Sequence, residues 1–266
     1  MDMGVGFTEI LLILLLVLIF FGSKELPKFV RESARLFAKF RSYSDNVRRE
    51  LNELSLNTGV SGPAHEDDTV RIQKRELRNK YLALRRNLTA AERSEKSRAI
   101  CGHIMNTPCC QNANAIMVYV NIDSEVETRE FIAAMIAAGK RILVPYTRRE
   151  SRSLGLGEIR DLENDIVTGV NNVPEAKPEL RDRFFRSDLQ LVLCPGVCFD
   201  VFGGRLGRGY AYYDNFLREL RGRVPMFGMA FDCQIHGEHL PFSYSDIPMD
   251  QIITESGLKL PDRPAG

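Results

Sequence analysis

The sequence predicts an α/β domain with a mainly parallel sheet. Apolar runs of strand length alternate with helical stretches over most of the chain. The runs are apolar at consecutive positions, as strands buried on both faces require. Polar clusters, "NIDSEVET" and the glycine-rich "GVCFDVFGGRLGRG", directly follow two of them, which is where open α/β sheets bind ligands.

The chain is 266 residues long, with net charge +1 and 27% charged residues, so no basic excess points to nucleic acid. From Val5 to Gly22 it is apolar apart from Thr8 and Glu9. As a helix this run is about 27 Å long, close to the thickness of a thin bilayer. A cleaved signal peptide is the alternative, but the start "MDMG" lacks its basic n-region. Residues 1–22 are therefore read as a short transmembrane helix.

Residues 23–54 read as a basic amphipathic helix. Leu26, Phe29, Val30, Leu36, Phe37, Phe40, Val47, Leu51 and Leu54 form its apolar stripe, with Lys28, Arg31, Arg35, Lys39 and Arg41 mostly elsewhere. Gly22 and Pro27 supply the bend between the two helices. The positive-inside rule puts everything after the span in the cytoplasm, giving a single-pass protein of the cytoplasmic membrane. "VGFTEILL", "FGSKELP" and the helix from Lys28 resemble the TatA/TatB subunits of the twin-arginine translocase, over about residues 3 to 54. The resemblance implies that Glu9 contacts a translocase partner. Read as a residue alone, Glu9 equally suits a glutamate reaching the membrane interface.

Residues 55–69 lose periodicity and collect Gly, Ser, Pro and acids, a flexible linker. Residues 70–258 form the second domain, and 259–266 a tail. "VRIQKRELRNKYLALRRNL" opens that domain as a helix. "TAAERSEKSRAICGHIM" follows as another, with Thr89 and Glu92 spaced as a capping box. "AIMVYV", "RILVP", "LQLVLCP" and "MFGMAF" are the strands; "ETREFIAAMIAAG" and "YDNFLRELRG" are helices closed by glycine. The six cysteines show no C-x-x-C pair, so Cys194 and Cys198 read as buried thiols in a reducing compartment. His236 and His239 read as structural residues rather than a metal pair.

The stretch "GGRLGRGYAYYDNFL" suits phosphates. Gly207 and Gly209 let backbone N–H groups face an anion, Arg205 and Arg208 add guanidinium donors, and Asp214 offers a hard oxygen for Mg²⁺. It is neither a Walker A loop nor a dinucleotide fingerprint, since Tyr212 stands where the third glycine belongs. Taken alone, it also reads as a glycine-rich turn with solvated arginines.

"PGVCFDVFGGRLGRGYAYYDNFL" closely resembles the signature of the 5-formyltetrahydrofolate cyclo-ligase family, PG-x-x-FD followed by RLG-x-G-x-G-x-YD. "KRELR", "YVNIDSEVET", "NNVPEAKP" and "SDIPMDQIITE" match further family segments in order, over about residues 70 to 255. The resemblance implies a three-layer domain of the cyclo-ligase / NagB-RpiA-CoA-transferase type. It implies ATP- and Mg²⁺-dependent closure of 5-formyltetrahydrofolate to 5,10-methenyltetrahydrofolate. Residue by residue, it implies that Lys74, Arg75, Arg78 and the loop Arg205, Leu206, Gly207, Arg208, Gly209, Tyr210, Ala211, Tyr212 and Tyr213 bind ATP. Val120, Glu125 and the part of that loop from Arg208 to Tyr212 would contact folate, while Asp214 and Asp246 would hold Mg²⁺.

Ala211 departs from the pattern, which has glycine there. A positive φ would cost alanine about 1 kcal/mol or more, whereas a negative φ would only narrow the ligand's space. The chain as a whole reads as a membrane-tethered enzyme fused to a translocase-like segment. The alternative is a twin-arginine translocase subunit carrying a passenger or weakened cyclo-ligase domain.

Overall fold

Strands β1 (Ala115–Met117), β2 (Arg141–Arg148), β3 (Ser153–Ile159), β6 (Leu191–Cys194), β9 (Met226–Met229), β11 (Gln251–Thr254) and β12 (Gly257–Lys259) form one sheet. The computed structural model describes residues 68–184, 186–243 and 245–259. The span at 1–22, the amphipathic helix at 23–54, Glu9, and the tail beyond residue 259 lie outside them. No helix among the described residues is long and apolar enough to cross a membrane.

The strand order is β12-β11-β9-β6-β1-β2-β3. The five strands from β11 to β2 pair in parallel, and β12 and β3 close the two edges as antiparallel hairpin partners. All four strand runs expected from sequence lie in the parallel part. Alternation along β6 explains why. Leu191 and Leu193 face one core layer while Val192 and Cys194 face the other, so every position is apolar. Burying each such side chain contributes about 1.5–3 kcal/mol.

Helices α2 (Ala90–Met105) and α4 (Arg129–Ala137) cover the first face through Ile100, Ile104, Phe131 and Ile132. The capping box at the start of α2 forms as expected. Glu92 N donates to Thr89 Oγ1 at 3.2 Å, and Thr89 N donates to Glu92 Oε2 at 2.9 Å. A short α3 (Pro108–Asn112) leads into β1. On the other face, Phe216, Leu217 and Leu220 pack from α5 (Tyr212–Leu217) and the turns after it. This helix is shorter than the sequence suggests, ending before Glu219.

Three short strands, β7 (Cys198–Asp200), β8 (Arg205–Leu206) and β10 (Ile235–His236), make a separate small sheet beyond the end of β6. Strands β4 (Ile166–Thr168) and β5 (Pro174–Ala176) form a third, two-stranded one. The first helix of the domain, α1 (Asp68–Arg86), carries an acid in its first turn and arginines in its last, as the helix dipole favours. It begins inside the segment read as linker.

The site is positioned by one topological fact. From β1 the chain crosses to β2 on one side, and later returns to place β6 on the other. The loops leaving β1 and β6 therefore diverge at the carboxyl ends of the strands, the place where open α/β sheets form their binding crevice.

Candidate active site

One wall of the crevice is the chain after β6. It turns at Gly196, where any side chain would meet the Phe199 ring at 2.4 Å. Asp200 at the end of β7 is buried and accepts hydrogen bonds from the N–H groups of Phe202 (2.9 Å), Gly204 (2.7 Å) and Leu240 (2.8 Å). The PG-x-x-FD element is thus architectural. It shapes the loop that presents Arg205 to Asp214.

The other wall is the loop after β1. Thr128 pins it, donating its hydroxyl to Tyr119 O at 2.7 Å and accepting from Asn121 N at 3.2 Å. Glu125 is buried on this loop, and Ile122 N donates to its Oε2 at 3.2 Å. Thr128 takes the N-cap position of α4 without a side-chain capping bond.

Around the glycine loop the cations are matched to acceptors, and Arg208 alone of those named reaches the other wall. Lys74 Nζ donates to Asp246 Oδ2 at 2.8 Å, and Arg205 Nη2 donates to Asp214 Oδ1 at 2.7 Å. Arg78 Nε donates to Gly207 O at 2.8 Å, and Arg208 Nη2 donates to Glu125 Oε1 at 3.0 Å and Asp123 Oδ2 at 3.3 Å. Arg205 is buried; burial opposes its charge, but Asp214 and its other neighbours outweigh this and hold its pKa above the ordinary value. Its Nε has no hydrogen-bond partner. Such an orphaned buried donor beside a glycine loop suits an incoming anion.

Most predicted residues meet here, with exceptions. Arg75 is exposed, because the residue after Lys74 is turned about 100° around the helix. Leu206 packs in an apolar cluster with Tyr81, Val197 and Leu240, and Val120 is 2% exposed in the main core. Neither side chain can do more than wall the site. Tyr210 is 61% exposed, while Tyr212 and Tyr213 are partly buried against the core. Burial pushes the Tyr213 hydroxyl well above the usual tyrosine pKa. Gly209 has φ +96°, and Ala211, at the N-cap of α5, has φ +59°, the costlier of the two alternatives.

Asp214, in the first turn of α5, and Asp246 are brought close together, since Ile247 N donates to Asp214 Oδ1 at 3.3 Å. Their protein bonds fall on Asp214 Oδ1 and Asp246 Oδ2, including one from Ser243 N to the latter at 2.8 Å. The second oxygens remain as hard donors, which fits Mg²⁺ completed by phosphate and water. No group of three or more His, Cys, Asp or Glu side chains suited to a metal occurs among the described residues. His236 Nδ1 is bonded to Tyr81 Oη at 3.0 Å, and His239 stacks on Phe202. Cys194 and Cys198 are buried, and burial pushes both thiols up to about 12.

Sequence reasoning missed Arg85. It continues the face of Lys74, Arg78 and Tyr81 at helical spacing, so the signal was there, hidden by the expectation that a buried helix face is apolar. Ser243, a second contact of Lys74 at 3.5 Å, had no local signal at all.

Cations converging on a glycine loop at an α/β switch point are an arrangement that suits a polyanionic ligand in an enzyme domain. The chain belongs to the 5-formyltetrahydrofolate cyclo-ligase family, whose profile matches residues 70–255. Residues 3–50 match the mttA/Hcf106 family, the TatA/TatB/TatE group. The 5-formyltetrahydrofolate cyclo-ligase of Escherichia coli K12 is 30% identical over 173 residues, covering 65% of this chain and 94% of that protein. The mouse enzyme is 27% identical over 195 residues, covering 70% of this chain and 96% of that one. The structure of Aquifex aeolicus 5,10-methenyltetrahydrofolate synthetase superposes with a TM-score of 0.62 at 27% identity, covering 73% of this chain and 95% of that one. A synthetase from Mycoplasma pneumoniae shares the fold at a TM-score of 0.55 and 21% identity.

Proposed function

We propose that this chain uses ATP and Mg²⁺ to convert 5-formyltetrahydrofolate to 5,10-methenyltetrahydrofolate, releasing ADP and phosphate. The formyl oxygen attacks the γ-phosphorus and ADP leaves. N10 then attacks the formyl carbon and loses its proton, and phosphate departs with the former formyl oxygen. The carrying observation is the set of exchangeable pairs, Lys74–Asp246, Arg205–Asp214 and Arg208–Glu125, around one glycine loop.

Each cation is held in place by an internal carboxylate that ligands can replace. Lys74, Arg78 and Arg205 take the ATP phosphates, and the Gly207–Gly209 backbone lies against them. Asp214 and Asp246 hold Mg²⁺, which neutralises phosphate charge. Glu125, once Arg208 has turned to phosphate, accepts hydrogen bonds from the pterin ring. The chemistry then needs positioning and charge stabilisation rather than a protein nucleophile.

The match over residues 3–50 supports a membrane-tethered chain with this domain in the cytoplasm. It also favours a second reading, a translocase subunit carrying the domain. The first test follows methenyltetrahydrofolate absorbance with the full 266-residue chain in detergent, with and without ATP and Mg²⁺. Turnover requiring both sustains the enzyme reading, and none from folded protein overturns it. Rescue of a strain lacking TatB by residues 1–58 alone would establish the translocase role.

A further inference from the structure

We infer that Arg85 is a positioning residue for Glu125: from beneath the switch point it ties the loop after β1 to the loop after β6, and so sets the folate pocket without touching the nucleotide site. Arg85 is 1% exposed, among the largest fully buried side chains of the described residues. Its Nε donates to Ser124 Oγ at 3.0 Å, one residue from Glu125. Its Nη1 donates to Gly196 O at 3.1 Å. The same carbonyl accepts Gln234 Nε2 at 2.9 Å, so the loop after β6 is held from both sides.

Burying a guanidinium is costly, and a leucine would fill this space without that cost. No carboxylate among the described residues forms an ion pair with Arg85. Burial pulls its pKa down, and the charge of Glu125 opposes that shift. Arg85 is therefore linked to Glu125 by field and by the Ser124 hydrogen bond rather than by direct contact.

The consequence appears when Arg208 leaves. In the structure Arg208 is paired with Glu125 directly. On the proposed reaction, on which this inference rests, Arg208 turns to phosphate and Glu125 must stay placed for the pterin. Arg85 is the cation that remains, fixed on a rigid helix and unable to swing out. Arg78 and Lys74 lie on the same face of α1 but about two and three turns away, at the nucleotide end.

The test is steady-state kinetics of the full chain in detergent, with KM measured separately for 5-formyltetrahydrofolate and ATP. Arg85→Gln should raise the folate KM by about tenfold or more, the loss of a charge-assisted hydrogen bond, with the ATP KM within about twofold. Arg85→Lys, which keeps the charge, should recover part of the loss. Equal changes in both KM values, or no rescue by lysine, would overturn the inference. Should Arg85→Gln fail to fold, Ser124→Ala decides: a folate KM raised about threefold alone sustains the link, and an unsplit response rejects it. A wild-type chain without turnover would instead remove the proposed reaction itself.

Discussion

Lys74 Nζ donates to Asp246 Oδ2 across 2.8 Å, although 172 positions separate the two residues. The pair joins the first helix of the domain to its closing loop, and both side chains are largely shielded from water. Replacing Lys74 by Met leaves Asp246 without its cation. Full burial would make that cost about 3–5 kcal/mol, and the partial exposure of Asp246 reduces it to about 1–3. Denaturant midpoints should fall accordingly, and kcat/KM should fall by about a hundredfold or more as a phosphate donor is lost.

Ala211 sits at φ +59° where the family pattern has glycine. The left-handed region costs an L-residue about 1–2 kcal/mol, part of which a glycine returns through its looser unfolded chain. Ala211→Gly should thus stabilise by about 0.5–1 kcal/mol and raise Tm by about 1–4 °C. Ala211→Val should lower it. Calorimetry on both variants checks the sign, and a drop in Tm with glycine would refute the strain.

Asp214 has two tasks that substitutions can separate. Asp214→Asn keeps an acceptor for Arg205 and Ile247 N but removes the charge. It should cost about 1–2 kcal/mol and lower turnover by about a hundredfold, with a raised Mg²⁺ requirement. Asp214→Ala strands buried Arg205 and should cost about 3–5 kcal/mol. Comparing unfolding curves with magnesium titrations distinguishes the two losses.

Tyr119 and Tyr213 give a pH dependence on the alkaline side. Burial raises both above 10.0, with Glu125 adding to the effect in each. In the folded state they stay protonated where the unfolded chain has lost its protons. Their contribution is therefore intact below about pH 10 and is lost as pH rises toward their folded values. Near-ultraviolet titration should show these two tyrosines ionising only with unfolding. Early titration of all eight tyrosines in the folded protein would contradict it.

Much of the site was legible because its parts are local. The glycines of the loop, the Thr89–Glu92 capping box and the run Lys74–Arg78 each depend on neighbours within a turn or two; the capping box forms as expected, and Arg78 reaches Gly207 O in the loop. The side chains that face away from the site share a cause too. Arg75 and Leu206 were carried with their motifs, but motif membership does not say which way a side chain faces. Arg75 is on the outer side of α1, and Leu206, next to buried Arg205 on β8, packs into the apolar cluster with Tyr81 rather than toward the site. Arg85 escaped because a charge on a buried face contradicts the hydrophobic pattern used to find such faces.

The sequence alone determined the alternation of strands and helices, the buried character of the sheet, and the presence of a glycine–arginine loop behind a strand. These follow from periodicity and short-range hydrogen bonding, which need no knowledge of distant residues. Only the tertiary structure decided that Lys74 meets Asp246, that Arg208 meets Glu125, and that Arg85 lies beneath both diverging loops. Those contacts depend on where β6 pairs relative to β1. That choice is made by packing two apolar faces at once, and no local stretch of residues encodes it.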